Sequence, residues 1–228
     1  MINKLGMYVQ ADMDVGDASH RTGLAAGLNA LLGNNEIAQR IKITLLTNCE
    51  VSPGVYVRHP SGYQPDWSGQ TSNFSRDQAC RVMFAMAVLG EKKVIGRWLL
   101  QMAKRFFLHQ NNCDPTDGSW RPRDVMTIGE WRNIIRGLNL WILYPILVIF
   151  DLVFLLEIPI RSKWDGGSML YPDIYFATKK FPTPFAFLAK YVIKKTTCLD
   201  EVMNNHDPVH KNGCAELQPL FKQLSEKM

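Results

Sequence analysis

Residues 14–48 read DVGDASHRTGLAAGLNALLGNNEIAQRIKITLLTN, and this stretch decides the fold class. Between His20 and Leu32 the apolar residues are small and lie all round the helix. Gly33-Asn34-Asn35 then supplies a helix stop, and a second helix is expected from about Glu36 to Asn48. A loop, a small-residue helix, a turn and an amphipathic helix make a hairpin unit, and the unit recurs. Ser75–Leu89, Lys92–His109, Thr127–Leu138, Leu140–Leu156 and Pro184–Lys195 are the further expected helices, with a last short one near Ala215–Ser225.

Long polar segments separate these units. Val51–Gln70 carries three prolines and three glycines and reads as a loop with a short extended piece at Val55–Arg58; 111–123 and 161–183 read as loops as well. Strand signals are few. The fold class expected is all-α: antiparallel helical hairpins forming a partial or open (α/α) toroid, with long polar loops on one face. Residues 1–228 read as a single helical domain ending in a polar tail at 206–228.

The loops carry more charge than helix ends require. Asp14, Asp17, His20 and Arg21 precede or open the first helix; Arg58, His59, Arg76 and Asp77 precede or open the third; Asp124 precedes the fifth. Part of this charge has a local explanation. Ser75 to Gln78 and Thr127 to Glu130 match capping boxes, and Asp17 with Arg21 and Asp77 with Arg81 are spaced as i,i+4 ion pairs. Asp14, His20, Arg58, His59 and Arg76 are left over. Acids beside exposed aromatic rings suit a sugar, whose apolar face stacks on a ring while carboxylates and guanidinium groups bind its hydroxyls; Trp67 and Trp120 are the rings singled out for that role.

Gly16-Asp17 with Arg21-Thr22-Gly23, Tyr56-Val-Arg-His59-Pro60 and Ser75-Arg-Asp-Gln78, each ahead of a small-residue helix, resemble the six-hairpin glycosidase group of (α/α) toroids. The likeness covers about Asp12 to Ile158 at the level of pattern. It implies a glycoside hydrolase or polysaccharide lyase, with acids and aromatics of the loops binding and cleaving a glycan. On that likeness Asp17, Asp77 and His59 are the candidate catalytic residues; Asp14, His20, Arg58, Arg76, Asp124, Trp67 and Trp120 are the candidate substrate contacts. The chain offers about four hairpins, fewer than a complete ring of six, which argues for an open ring.

Other classes are disfavoured. There is no Walker or dinucleotide glycine loop, no G-x-S-x-G elbow and no H-E-x-x-H motif, and neither a cofactor nor a metal is expected; His206 and His210 in the polar tail are a weak metal signal. The net charge of +5 is scattered rather than gathered in a stripe, which makes nucleic acid an unlikely partner. Five cysteines without C-x-x-C spacing fit a reduced protein, and with no secretion signal in the first residues a cytoplasmic or otherwise non-secreted location is expected.

Leu138–Ile158 is the most apolar stretch, and about 20 residues is the length of a bilayer span. Asn139, Pro145, Asp151 and Glu157 interrupt it. A buried inner helix is the leading expectation, with Asp151 then needing an arginine partner; a membrane segment is the alternative. The alternative function follows from the same segment: a non-catalytic subunit of a larger assembly, meeting a protein partner through 140–156 or associated with a membrane.

Overall fold

Small residues let three helices of this protein touch along their backbones. The structure, a computed structural model, describes residues 2–9, 18–60, 74, 76–109, 125–161, 170–196 and 217–228; for 77, 159–161, 170 and 195–196 it describes the backbone alone. The described residues are mostly helical. Helices α1 (Ala18–Leu32) and α2 (Asn35–Cys49) are followed by a two-stranded antiparallel hairpin, β1 (Glu50–Ser52) and β2 (Val55–Tyr56), then by α3 (Arg76–Val88) and α4 (Lys92–Lys104). After these come α5 (Ile128–Leu138), a 3-10 turn at Trp141–Leu143, α6 (Tyr144–Arg161), α7 (Leu170–Lys179), α8 (Pro184–Thr196) and α9 (Gln218–Lys227).

The direction of the inner helices follows from where their glycines sit. A Cβ on Gly23 would lie 3.0 Å from the backbone of Arg81, and one on Gly27 would run into the ring of Phe84. A Cβ on Gly129 would meet Cys80, and one on Gly137 would meet Ala87 and Ile95. Positions therefore rise together along α1 and α3, and again along α3 and α5. The three helices run parallel, and their N-termini lie at one end of the molecule.

Burial separates the layers. All but His20, Ala30 and Leu31 of the fifteen residues of α1 are buried, which is why its sequence shows no polar face. By contrast, α2 buries only Ala38, Ile41, Leu45 and Cys49, and α4 only Val94, Ile95, Trp98 and Met102, each a single stripe at helical spacing. Gly33 and Gly90, with φ of +91° and +73°, make the turns that fold α2 back on α1 and α4 back on α3. Most of the core is one cluster between α1, α3 and α5, closed from outside by Phe221 and Leu224 of α9, whose Lys227 Nζ donates to the carbonyl of Leu32 at 3.1 Å. A second, smaller cluster joins Phe154 and Ile158 of α6 to Tyr171 and Ile174 of α7 and Ala189 and Ile193 of α8.

Three expectations about elements are corrected. The fourth helix stops at Lys104 instead of His109, because Phe106 and Phe107 take left-handed conformations (φ 53° and 61°) and Phe107 N–H turns back to the carbonyl of Met102 at 2.7 Å. That turn brings His109 inward. The segment 161–183, read as loop, contains α7; Pro172 sits in its first turn, where a missing N–H costs nothing, and Tyr171–Ala177 are all buried. Finally, α6 is not a buried inner helix. Only 22% of Trp141–Ile158 is buried: Leu147, Asp151, Phe154 and Ile158, spaced four, three and four residues apart on one side.

Candidate functional site

At the end where the inner helices begin, the first backbone N–H groups of α1 need acceptors. Ser19 N–H finds one in the carbonyl of Arg58 at 2.9 Å, and this bond joins the two polar segments that the sequence singled out. The β1–β2 hairpin sets the position of Arg58: Val57 N–H donates to the carbonyl of Cys49, and Gly54 at the tip (φ +77°) presses on the backbone of Arg97. Glu50 takes a two-pronged ion pair from Arg97, both Oε atoms at 2.9 Å from Nη2, which fixes the hairpin on α4.

Next along the chain, His59 is buried, and its Nε2 lies 3.4 Å from Asn3 Nδ2. The N-terminal segment is held over the same end by Tyr8 N–H, which donates to Thr22 Oγ1 at 3.0 Å. His20, Arg58 and Arg76 are half-buried at the helix starts or beside them. Four of the ten candidate residues, His20, Arg58, His59 and Arg76, thus belong to described segments at or beside the starts of α1 and α3. Asp14, Asp17, Trp67, Trp120 and Asp124 lie outside the described residues, as does the side chain of Asp77, whose backbone opens α3. Among the described residues no group of three His, Cys, Asp or Glu side chains could hold a metal, and His206 and His210 lie outside them.

The buried acids among the described residues are committed elsewhere. Asp151 Oδ1 accepts from Arg132 Nε at 2.6 Å; its Oδ2 accepts from Arg136 Nη2 at 2.5 Å and from Thr183 Oγ1 at 2.6 Å. The buried acid thus has the arginine partner the sequence asked for, twice over. Arg132 also stands 3.7 Å over the Phe154 ring, and Arg136 Nε donates to the carbonyl of Lys180 at 3.1 Å. Burial pulls Asp151 toward the neutral form, but Arg132 and Arg136 outweigh it and hold the carboxyl below its ordinary range. A carboxylate so held supports structure rather than proton transfer.

Two further buried pairs escaped the sequence reading. Arg81 donates to Asp173 Oδ2 at 3.0 Å, an ion pair with a residue of α7 that i,i+4 spacing could not reveal. Glu130 does not complete its capping box. Thr127 Oγ1 accepts from Glu130 N–H at 3.2 Å as expected, but the carboxylate turns inward to Trp98 Nε1 at 2.8 Å and His109 Nε2 at 3.0 Å. The only signal available was three polar or aromatic residues in otherwise apolar surroundings.

A different surface presents itself on α6 and α8. Opposite the buried stripe of α6, Ile146, Ile149 and Leu156 are exposed, Leu156 at 66%, and Ile142 of the preceding 3-10 turn, 70% exposed, continues the row. Trp141, ahead of them, is 73% exposed. On α8 the buried side is Ala186, Ala189 and Ile193, while Phe187, Leu188 and Tyr191 face outward. Trp141–Ile158 is the one helical stretch among the described residues long and apolar enough to cross a membrane. No protein-family model, curated protein or solved structure matches this chain.

Proposed function

We propose that this chain is a membrane-associated helical protein that lies on a bilayer through the outer faces of α6 and α8. The observation that carries the reading is the apolar outer stripe of α6, Ile146, Ile149 and Leu156, which Ile142 extends into the preceding 3-10 turn. Isolated exposed aliphatic residues are ordinary on a protein surface, whereas a helix-long row of them marks a contact surface. The opposite stripe of the same helix carries Asp151, clamped to Arg132 and Arg136 of α5. A helix tied to the protein along one side and apolar along the other fits the plane of the membrane interface better than a crossing of it.

Ile146→Ser combined with Ile149→Ser tests this. Neither side chain belongs to a core cluster, so the fold should persist by circular dichroism, while partitioning of the full chain onto vesicles in flotation should fall about a hundredfold, roughly tenfold for each buried aliphatic side chain removed. Unchanged flotation of the double variant, or a wild-type chain that never floats, rejects the reading.

A second reading is favoured by the parallel run of α1, α3 and α5 and by the Ser19–Arg58 bond. On it, the inner helices and their returning partners are the wall of an open (α/α) toroid, and the common N-terminal end is a glycan site. Asp17 or Asp77 would act as general acid or base, with His59, Arg58 and Arg76 contacting an acidic sugar. Reducing-end release or unsaturated-product formation from acidic polysaccharides should fall by about two orders of magnitude or more in Asp17→Asn and in Asp77→Asn. Blank glycan arrays with no turnover of such polymers by the wild type sink this reading.

A further inference from the structure

The outer face of α8 differs from that of α6 in carrying charge. Phe187, Lys190, Tyr191 and Lys194 fall on one stripe at helical spacing, with Leu188 beside it; Phe187, Leu188, Tyr191 and Lys194 are exposed and Lys190 is partly so. Lys179, exposed at the end of α7, joins them, its Nζ 5.4 Å from the ring centre of Tyr175. Aromatic rings alternating with lysines beside an aliphatic face are the make-up of an interfacial surface, in which rings sit at headgroup level and ammonium groups reach the lipid phosphates.

We infer that Lys179, Lys190 and Lys194 select anionic lipid headgroups, so that the α6–α8 face docks on negatively charged bilayers in preference to neutral ones. This rests on the membrane reading proposed above and adds the class of lipid to it. The three ammonium groups are close enough to feel one another: partial burial first, then Lys179 and Lys194, hold Lys190 below the usual lysine range. Acids that could neutralise them are few on the same elements. Pro184–Thr196 contains no Asp or Glu, Asp173 of α7 is bound by Arg81, and Asp151 of α6 is bound by Arg132 and Arg136. Glu157, half-buried on the flank of α6, is the remaining acid of these three helices between Tyr144 and Arg161. Clustered like charge is costly for the free protein and is relieved when anions approach, which gives the surface its preference.

The experiment is flotation of the full-length chain with phosphatidylcholine vesicles and with vesicles containing phosphatidylglycerol. The wild type should partition more strongly onto the anionic vesicles, and raising the ionic strength should erase the difference because lipid charge is screened. Combining Lys179→Gln, Lys190→Gln and Lys194→Gln should weaken binding to anionic vesicles about a hundredfold, near fivefold per lysine, and leave the weaker binding to phosphatidylcholine in place. Equal wild-type binding to both vesicle types, or a preference insensitive to salt, overturns the lipid selectivity and leaves membrane docking standing. Failure of the wild type to bind either vesicle overturns docking itself and the selectivity with it. Should the triple variant misfold, the salt response of the wild type still decides.

Discussion

Asp151→Ala should lower the stability of this protein by about 3–5 kcal/mol, the cost of breaking a buried ion pair by removing one partner. The carboxylate holds two guanidinium groups, Arg132 at 2% exposure and Arg136 at 1%, that have little access to water. Without Asp151 the two positive charges face each other in the interior. Native proteins are stable by only about 5–15 kcal/mol, so the variant should unfold at a much lower urea concentration. Asp151→Asn keeps an acceptor for one arginine and should lie between the two. Acid titration gives an independent check. Because the folded-state pKa of Asp151 is depressed, its stabilisation is fully present above about pH 4 and is lost as pH falls through the folded value. Asp151→Ala should therefore lose less stability than the wild type on acidification. Arg136 stays charged throughout that range: burial, then Arg132, lower it to about 10, with Asp151 pulling the other way. A variant as stable as the wild type in urea at neutral pH would show that the cluster is dispensable.

Much of the helical order was legible in residues, and the exceptions share a physical cause. The α1–α2 hairpin could be read because Gly33 ends one helix and the periodicity of the next begins at once. What periodicity cannot tell is which side of an all-apolar helix meets protein. For α6 that ambiguity led to an inner helix, whereas the placement of Asp151 against Arg132 and Arg136 turns one stripe inward and leaves the rest outside. In α4 the end lies at Arg105-Phe106-Phe107, residues with no preference for left-handed backbone, so nothing local announced it. In α7 the segment is short, and Pro172 and the Gly-rich run before it masked a fully buried face. For the candidate site, the Ser19–Arg58 bond brings two of the polar segments singled out in the sequence side by side. The site's remaining acids and rings lie in segments outside the described residues.

Glu130→Ala carries the second large effect, about 3 kcal/mol of lost stability. Glu130 is completely buried, and its two oxygens accept from Trp98 Nε1 and His109 Nε2. Truncation leaves an indole N–H and an imidazole nitrogen without an acceptor inside the core, each worth roughly 1–3 kcal/mol, and opens a cavity between α4 and α5. Helix α5 should still start in the same place, because its cap is the Thr127 side chain accepting from the backbone N–H of residue 130, which alanine retains. The loss is therefore confined to the side-chain network. Glu130→Gln, which keeps one carbonyl oxygen for Trp98, should recover about half of it. The Trp98 indole resonance in a nitrogen–proton NMR spectrum would report the network directly, shifting in the alanine variant and returning toward its original position in the glutamine variant. If Glu130→Ala matches the wild type in chemical denaturation, the carboxylate is not what draws His109 in. The left-handed turn at Phe106 and Phe107 would then need another cause, because its consequence in this fold is to bring His109 onto Glu130.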